Sequence, residues 1–167
     1  RSYLGRGNLK KITIIGGGPA GYAAALYANN FDLDVTLIES DVLGGTCLNR
    51  GCIPAKYWLH VAELNHEIEN ANDYGIEINQ KNINWANTTN KRNEIVNKLV
   101  SGIGTLLKSK KVNVIEGWGQ IESKNVVIVK KENGEEEKIA SDYVLLATGS
   151  QPRSLPNLEF DNNFIIN

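Results

Sequence analysis

Two kinds of apolar pattern alternate along the chain. Short β-branched runs bounded by turn residues predict strands, and longer segments with apolar residues every three or four positions predict helices. In KITIIGGG, Ile12, Ile14 and Ile15 form the first strand and run into glycines. The alanine-rich PAGYAAALYANNF follows as a helix, with Pro19 suited to its first turn. Val35 to Glu39 in DVTLIES predicts a second strand. Trp58, Val61, Ala62, Leu64 and Ile68 take helical spacing in KYWLHVAELNHEIENAN, and Gly75 closes that pattern. IEINQKNINW alternates and predicts a short extended piece. Ile95, Leu99, Ile103, Leu106 and Leu107 predict a helix over Lys91 to Lys108, in which Gly102 and Gly104 either weaken the helix or mark a close approach. KVNVIEGWGQI and NVVIVKKENGEEEKIASDYVLLATGS predict strands, with a hairpin at Glu132-Asn133-Gly134 and a solvated charged tip. The expected fold is α/β: a Rossmann-like parallel sheet with helices on its faces, plus a small antiparallel β-hairpin element.

Composition narrows the function classes. A chain of 167 residues is about one domain, and 41% hydrophobic with 22% charged residues is ordinary for a soluble globular protein. A net charge of -1 and a pI near 6.2 supply no basic field for nucleic acid or anionic lipid. No apolar run approaches the ~18 residues that span a membrane. Neither a nucleic acid nor a membrane is expected as a partner. The start, RSYLGRGNLK, lacks the apolar core of a signal peptide, is basic and has no acidic residue. It reads as the end of a transit peptide or a tag remnant. Methionine is absent, and NLEFDNNFIIN stops on an apolar run, so a piece of a longer protein is expected. The scattered asparagines (Asn29, Asn30, Asn82, Asn84, Asn87, Asn90, Asn93, Asn97) read as base composition acting on surface positions, with no functional role.

Gly16-Gly17-Gly18-Pro19-Ala20-Gly21 fits G-x-G-x-x-G. The pattern alone is weak. Here it leaves a predicted strand, opens a predicted helix, and is followed by Glu39 at the end of the next strand, which is the full dinucleotide-binding context. Gly16 permits the tight turn, Gly18 lets a pyrophosphate approach the backbone, and Gly21 lets helix and strand pack closely. The helix N-terminus offers free N–H groups and the positive end of its dipole. Glu39 suits a ribose hydroxyl pair and repels a 2′-phosphate, which disfavours NADP. The competing reading is a glycine-rich turn of an ordinary α/β domain. The motif does not separate FAD from NAD.

The only two cysteines, Cys47 and Cys52, stand with four residues between them, in a glycine-flanked segment. Zinc would need two more ligands, and His60 and His66 are six apart on the next helix, off a shared face. Gly51 gives the backbone freedom to close a small ring. Cys52-Ile53-Pro54 reads as the start of the helix that begins near Ala55, with Pro54 at its first position. A thiol there is expected to favour its thiolate, while Cys47 sits in the flexible loop before it. An unequal, close pair suits disulfide exchange, the exposed sulfur being attacked while the other carries negative charge. Lys56, one turn on, could stabilise that charge or a reduced cofactor ring; otherwise it is a solvated lysine.

With these residues in place the chain resembles the flavoprotein disulfide reductases, and within them the dihydrolipoamide dehydrogenase branch. Four blocks between Lys11 and about Pro156 carry the resemblance: ITIIGGGPAGYAAA, LIES, GGTCLNRGCIPAK and YVLLATGS. Leu48 and Ile53 are similar to that branch rather than to glutathione or thioredoxin reductases, and Asn49-Arg50-Gly51 is similar to plastid-type members. The resemblance implies FAD as a tight, non-covalent cofactor. Gly16, Gly18 and Gly21 would hold its pyrophosphate and Glu39 its adenosine ribose. Gly45, Thr46 and Lys56 would contact the flavin side, Gly119 the adenine by its backbone, and Thr148-Gly149-Ser150 would pack beside the cofactor. Cys52 would be the thiol next to the flavin and Cys47 the interchange thiol that meets dihydrolipoamide. Hydride would pass to NAD⁺ on a domain absent from this chain. The implied partners are the lipoyl domain of a 2-oxo acid dehydrogenase complex and, at full length, a second copy in a homodimer. An organelle, plastid-type or mitochondrial matrix, is implied by Arg50 and the basic start.

On this reading residues 1–10 are an N-terminal extension or tag remnant, 11–156 a partial, truncated FAD/NAD(P)-binding fold, and 157–167 the start of a linker toward the missing NAD-binding domain. The family's histidine–glutamate pair has no match, and His60 and His66 read as helix-surface or packing residues. Without the strand that the family returns to this sheet, an open edge is expected, and the 167 residues alone are expected to be inactive as a dehydrogenase. Ala55 stands where the family has serine, and Tyr57-Trp58 where it has small or aliphatic residues; both are expected to alter the wall around the disulfide. The alternatives are another member of the class (glutathione, thioredoxin or mercuric reductase) and a non-catalytic binding module, which would have no need of the cysteine pair.

Overall fold

The computed structural model describes residues 9–79 and 82–166. In chain order these form β1 (Lys11–Ile15), α1 (Pro19–Ala28), β2 (Asp34–Glu39), α2 (Gly45–Arg50), α3 (Cys52–Glu69), α4 (Trp85–Ser109), β3 (Asn113–Glu116), β4 (Trp118–Ser123), β5 (Val126–Lys130), β6 (Glu136–Ala140) and β7 (Tyr143–Leu146). Residues 1–8 of the expected extension lie outside the described residues. Lys10, its last residue, pairs with Asp142 at 2.9 Å.

The four parallel strands run in the order β3-β2-β1-β7, with Ile14 level with both Leu37 and Leu145. Side chains alternate between the two faces of a strand, and each face finds its own cover. Ile14, Val35 and Leu37 pack with Ala25 of α1 and with Val96, Ile103 and Leu107 of α4. Ile15 and Ile38 point the other way, onto Val127 and Val129 of β5. The antiparallel element has three strands, β4-β5-β6, and it covers the second face of the parallel sheet. Ile14, Leu37 and Val127 are wholly buried, and each such side chain contributes roughly 1.5–3 kcal/mol. Thr13 is buried with its hydroxyl bonded to that of Ser141, so the one polar residue inside β1 is satisfied.

The expected hairpin forms between β5 and β6. Gly134 takes φ 85° and its N–H donates to Lys131 O at 3.0 Å. Lys130–Glu136 and Lys131–Glu137 pair across it at 3.3 and 3.0 Å.

Several boundaries differ from expectation. α4 begins at Trp85, six residues before Lys91, because the Asn84 side chain accepts the Asn87 N–H at 3.0 Å and caps the helix. Asn29 donates to Lys110 O at 2.5 Å and ties the end of α1 to the end of α4. Some of the scattered asparagines therefore do local structural work that base composition does not explain. Gly102 meets nothing and Gly104 only Leu43 at 3.9 Å, so neither marks a close approach, and packing carries the helix through them. The described part of the IEINQKNINW stretch forms no strand; Gln80 and Lys81 lie outside the described residues. Near the end, Asp161 Oδ1 accepts the N–H groups of Asn163, Phe164 and Ile165 at 2.8–2.9 Å, which organises a tight turn. β7 is an edge strand with Tyr143 and Leu146 exposed. No helix among the described residues is long and apolar enough to cross a membrane.

Candidate functional site

The carboxyl ends of β1, β2 and β7 surround a cleft of about 520 Å³. Its floor is the turn from β1 into α1, where the three motif glycines meet different constraints. Gly16 has φ 106°, and a Cβ on it would lie 2.3 Å from Ala147 O. A Cβ on buried Gly21 would lie 1.7 Å from Gly16 O. The protein's own packing thus requires both. At Gly18 an added Cβ would meet nothing nearer than Gly45 Cα at 3.8 Å. Gly18 lines the cleft and starts α1 without any side-chain cap. An uncapped helix N-terminus behind a bare glycine leaves orphan N–H donors for an anion. That is the feature a dinucleotide's diphosphate needs, so the residues fit the cofactor.

Glu39, at the end of β2, lines the same cleft. One carboxylate oxygen accepts the Gly17 N–H at 2.6 Å and the other the Asp41 N–H at 2.8 Å. Glu39 therefore braces the phosphate loop as well as facing the cleft. A carboxylate offers about four acceptor sites, which leaves capacity for a ribose diol.

The segment after β2 packs directly on the phosphate loop. Gly44 and Gly45 both take left-handed backbones, φ 99° and 59°. Gly44 N–H donates to Gly17 O at 2.9 Å, and a Cβ on Gly45 would come within 2.7 Å of Gly18 Cα. Gly45, Thr46 and Cys47 then line the cleft from α2. Gly119 lines it from β4, where an added Cβ would be 2.9 Å from Ile15 Cγ2. Thr148, Gly149 and Ser150 line it from the segment after β7, all exposed. Gly21 lies beneath the floor, and Cys52 and Lys56 stand outside the lining on the first turns of α3.

The cysteine segment departs from expectation in three ways. Cys47 is not in a flexible loop but in the helix α2, because the Asn49 amide donates to Leu43 O and Gly45 O at 3.1 and 3.0 Å and closes that turn. α3 begins at Cys52 rather than near Ala55, which moves Pro54 to the third position, still within the turn whose N–H groups need no helical partner. The more exposed thiol is Cys52, and Cys47 is half-buried against the cleft. Gly51 makes the junction between the two helices: a Cβ there would be 3.2 Å from Thr46 O and 3.3 Å from Cys47 Cα. The two free thiols interact. The hydrogen bond with Cys52, then burial, then the charge of Cys52 push the Cys47 thiol above its ordinary value, against a smaller opposing pull from Lys56.

Trp58 turns toward α4, with Trp85 at 6.1 Å and the Arg92 guanidinium over its ring at 5.8 Å, and Tyr57 stacks edge-on at 5.8 Å. Both histidines are exposed on α3, and the His66 ring contacts the Asn70 amide at 3.1 Å. Asp41, Asn49, Arg50 and Trp118 are among the cleft residues that the sequence reading did not name as site residues. Asn49 and Arg50 sit inside the cysteine block, and that placement was the available signal.

A family model described as pyridine nucleotide-disulphide oxidoreductase matches residues 10–166. The dihydrolipoyl dehydrogenase of Zymomonas mobilis subsp. mobilis is 39% identical over 154 residues, 92% of this chain and 33% of that protein. One from Bacillus subtilis is 40% identical over 157 residues, 93% of this chain and 34% of that protein. The crystal structure of LpdA from Mycobacterium tuberculosis superposes with a TM-score of 0.85 at 29% identity, over 94% of this chain and 35% of that one. The chain spans about a third of the length of the curated relatives it matches.

Proposed function

The chain belongs to the pyridine nucleotide-disulphide oxidoreductases, and we propose that it is the FAD-binding part of a dihydrolipoamide dehydrogenase. The observation that carries this reading is one cleft in which the uncapped start of α1, the carboxylate of Glu39 and the thiol of Cys47 come together, with Cys52 bonded to that thiol. Gly16, Gly18 and the start of α1 hold the diphosphate, above the close contact that Gly21 permits. Glu39 takes the adenosine ribose and the Gly119 backbone lies by the adenine. Gly45, Thr46 and Lys56 serve the flavin end, and Thr148, Gly149 and Ser150 flank the cofactor. Bound FAD supplies a two-electron acceptor that returns the dithiol to the disulfide and delivers hydride to NAD⁺.

The chain's own thiols take the substrate's electrons. One thiolate of dihydrolipoamide attacks the Cys47 sulfur of the Cys47–Cys52 disulfide. A mixed disulfide forms and Cys52 leaves as a thiolate. The second substrate thiolate then attacks the substrate sulfur in that mixed disulfide and releases Cys47. Two electrons pass from the substrate dithiol to the protein, and lipoamide leaves oxidised. Cys52 is the first residue of α3, and Lys56 stands one turn on. The hydrogen bond with Cys52 holds the Cys47 thiol above its ordinary value. The lipoyl domain of a 2-oxo acid dehydrogenase complex is the partner that presents this substrate, to a homodimer of the whole protein. An organelle, of plastid type or the mitochondrial matrix, is the proposed compartment.

The test is turnover of the full-length protein with NAD⁺ and dihydrolipoamide, beside NAD⁺ and reduced glutathione, with the visible spectrum recorded. Lipoamide turnover by a yellow protein, lost in C47S and C52S, is expected. Glutathione turnover without lipoamide turnover moves the protein to another branch of the class, and failure to take up FAD sinks the flavin reading altogether.

A further inference from the structure

Among the described residues that line the cleft, Arg50 is the one cation, and the lining also holds two carboxylates, Glu39 and Asp41. Its guanidinium pairs with Asp41, the only partner the described residues give it. The two side chains are 67% and 54% exposed, and an ion pair so open to water contributes little to stability. A guanidinium carries five N–H donors, and most of these remain without a protein partner. The pair is also anchored at the working end of the cleft, since the Asp41 N–H is held by the Glu39 carboxylate at 2.8 Å. α2 starts against Gly18, and Arg50, its last residue, lines the same cleft as Gly18.

The charges of the cleft are incomplete for a diphosphate. Two carboxylates and one guanidinium leave it negative, and a dinucleotide brings two further negative charges. The start of α1 returns only about half a unit of positive charge. Planar N–H pairs match phosphate oxygens well. We propose that Arg50 is the counter-charge for the FAD diphosphate: Asp41 holds it beside the cleft, and on cofactor binding the guanidinium exchanges that carboxylate for phosphate oxygen. The inference rests on the flavin reading above. It also gives a role to the residue between the two cysteines at which this chain is similar to plastid-type members.

The experiment is a titration of the full-length apo-protein with FAD, followed by flavin fluorescence at several salt concentrations, for wild type, R50Q, R50K and D41N. R50Q is expected to bind FAD about tenfold more weakly, with a shallower salt dependence because one screened attraction is gone. R50K is expected between the two, since it keeps the charge and loses the fork. D41N, which frees the guanidinium, is expected to bind as tightly as wild type or more tightly. Wild-type affinity and salt dependence in R50Q overturn the inference and leave the flavin reading standing. Equal weakening in R50Q and D41N also overturns it, and assigns the pair to holding the loop after β2. Should R50Q fail to fold, the contrast between R50K and D41N decides in the same way, equal weakening counting against. A wild-type protein that takes up no FAD overturns both.

Discussion

The phosphate loop and the cysteine segment are both rich in glycine and touch across Gly18 and Gly45, yet they are held by different forces. In the first, backbone packs on backbone: a Cβ at Gly21 or Gly16 would overlap a carbonyl oxygen at 1.7 or 2.3 Å. In the second, a side chain does the holding: the Asn49 amide donates to Leu43 O and Gly45 O and closes the turn into α2. The first region has no side chain to trim and little room to adapt. The second can change its chemistry while keeping its shape. Gly16 and Gly21 in the first region are therefore expected to fail by unfolding, and the thiols of the second by losing function.

The sharpest way to break this comparison is G21A. Its Cβ would force α1 off β1 in the buried layer, and a loss of more than about 4 kcal/mol is expected, read as a protein that does not fold or unfolds far below wild type. A G21A protein of normal stability would refute the packing account. C47S and C52S come next: each is expected to lower dihydrolipoamide turnover by about 10³-fold or more, by removing one partner of the exchange, with the melting temperature nearly unchanged. A large fall in melting temperature would show that the thiols hold the fold.

G18A separates cofactor from packing. The protein leaves room for its Cβ, so stability is expected to change by less than about 1 kcal/mol, while FAD affinity falls because the methyl stands where a phosphate approaches. N49A sharpens the other side. It leaves the carbonyls of Leu43 and Gly45 without their donor in a half-buried place, at an expected cost of about 1–3 kcal/mol, measured by urea unfolding. The smallest effect is in pH. The Cys47 thiol is raised above the ordinary 9.0, first by its bond to Cys52. Its contribution to stability is then fully present below 9.0 and is lost as pH rises through the higher folded value. Alkylation of the reduced protein is expected to label exposed Cys52 first, and Cys47 only as pH climbs past 9.0; the reverse order would mean the proton sits on the other sulfur.

Much of this was legible in order along the chain. The β-branched runs at Ile12–Ile15 and Val35–Glu39, Pro19 at the first turn of α1 and Asn133-Gly134 at the hairpin are local signals, and each appears in the structure within a residue or two. α2 was not legible, because six residues that open on a glycine and have one glycine on each side carry no periodicity; hydrogen bonds from the Asn49 amide back to Leu43 O and Gly45 O close it. The early start of α4 hid in Asn84, whose cap is a single side-chain contact amid many similar asparagines.

By itself the sequence determined the strand and helix periods, the spacing of the three motif glycines, the acidic end of β2 and the four-residue separation of the thiols, since these depend on neighbours along one chain. Only the tertiary structure decided what each of those residues meets. Gly16 is constrained by Ala147, more than a hundred positions on, and Trp58 meets Trp85 of α4. It also brought Arg50, Asp41 and Glu39 to one cleft with Gly18. The physical reason is that packing and charge act through space, between residues whose proximity is set by how the sheet and its covering layers close on one another.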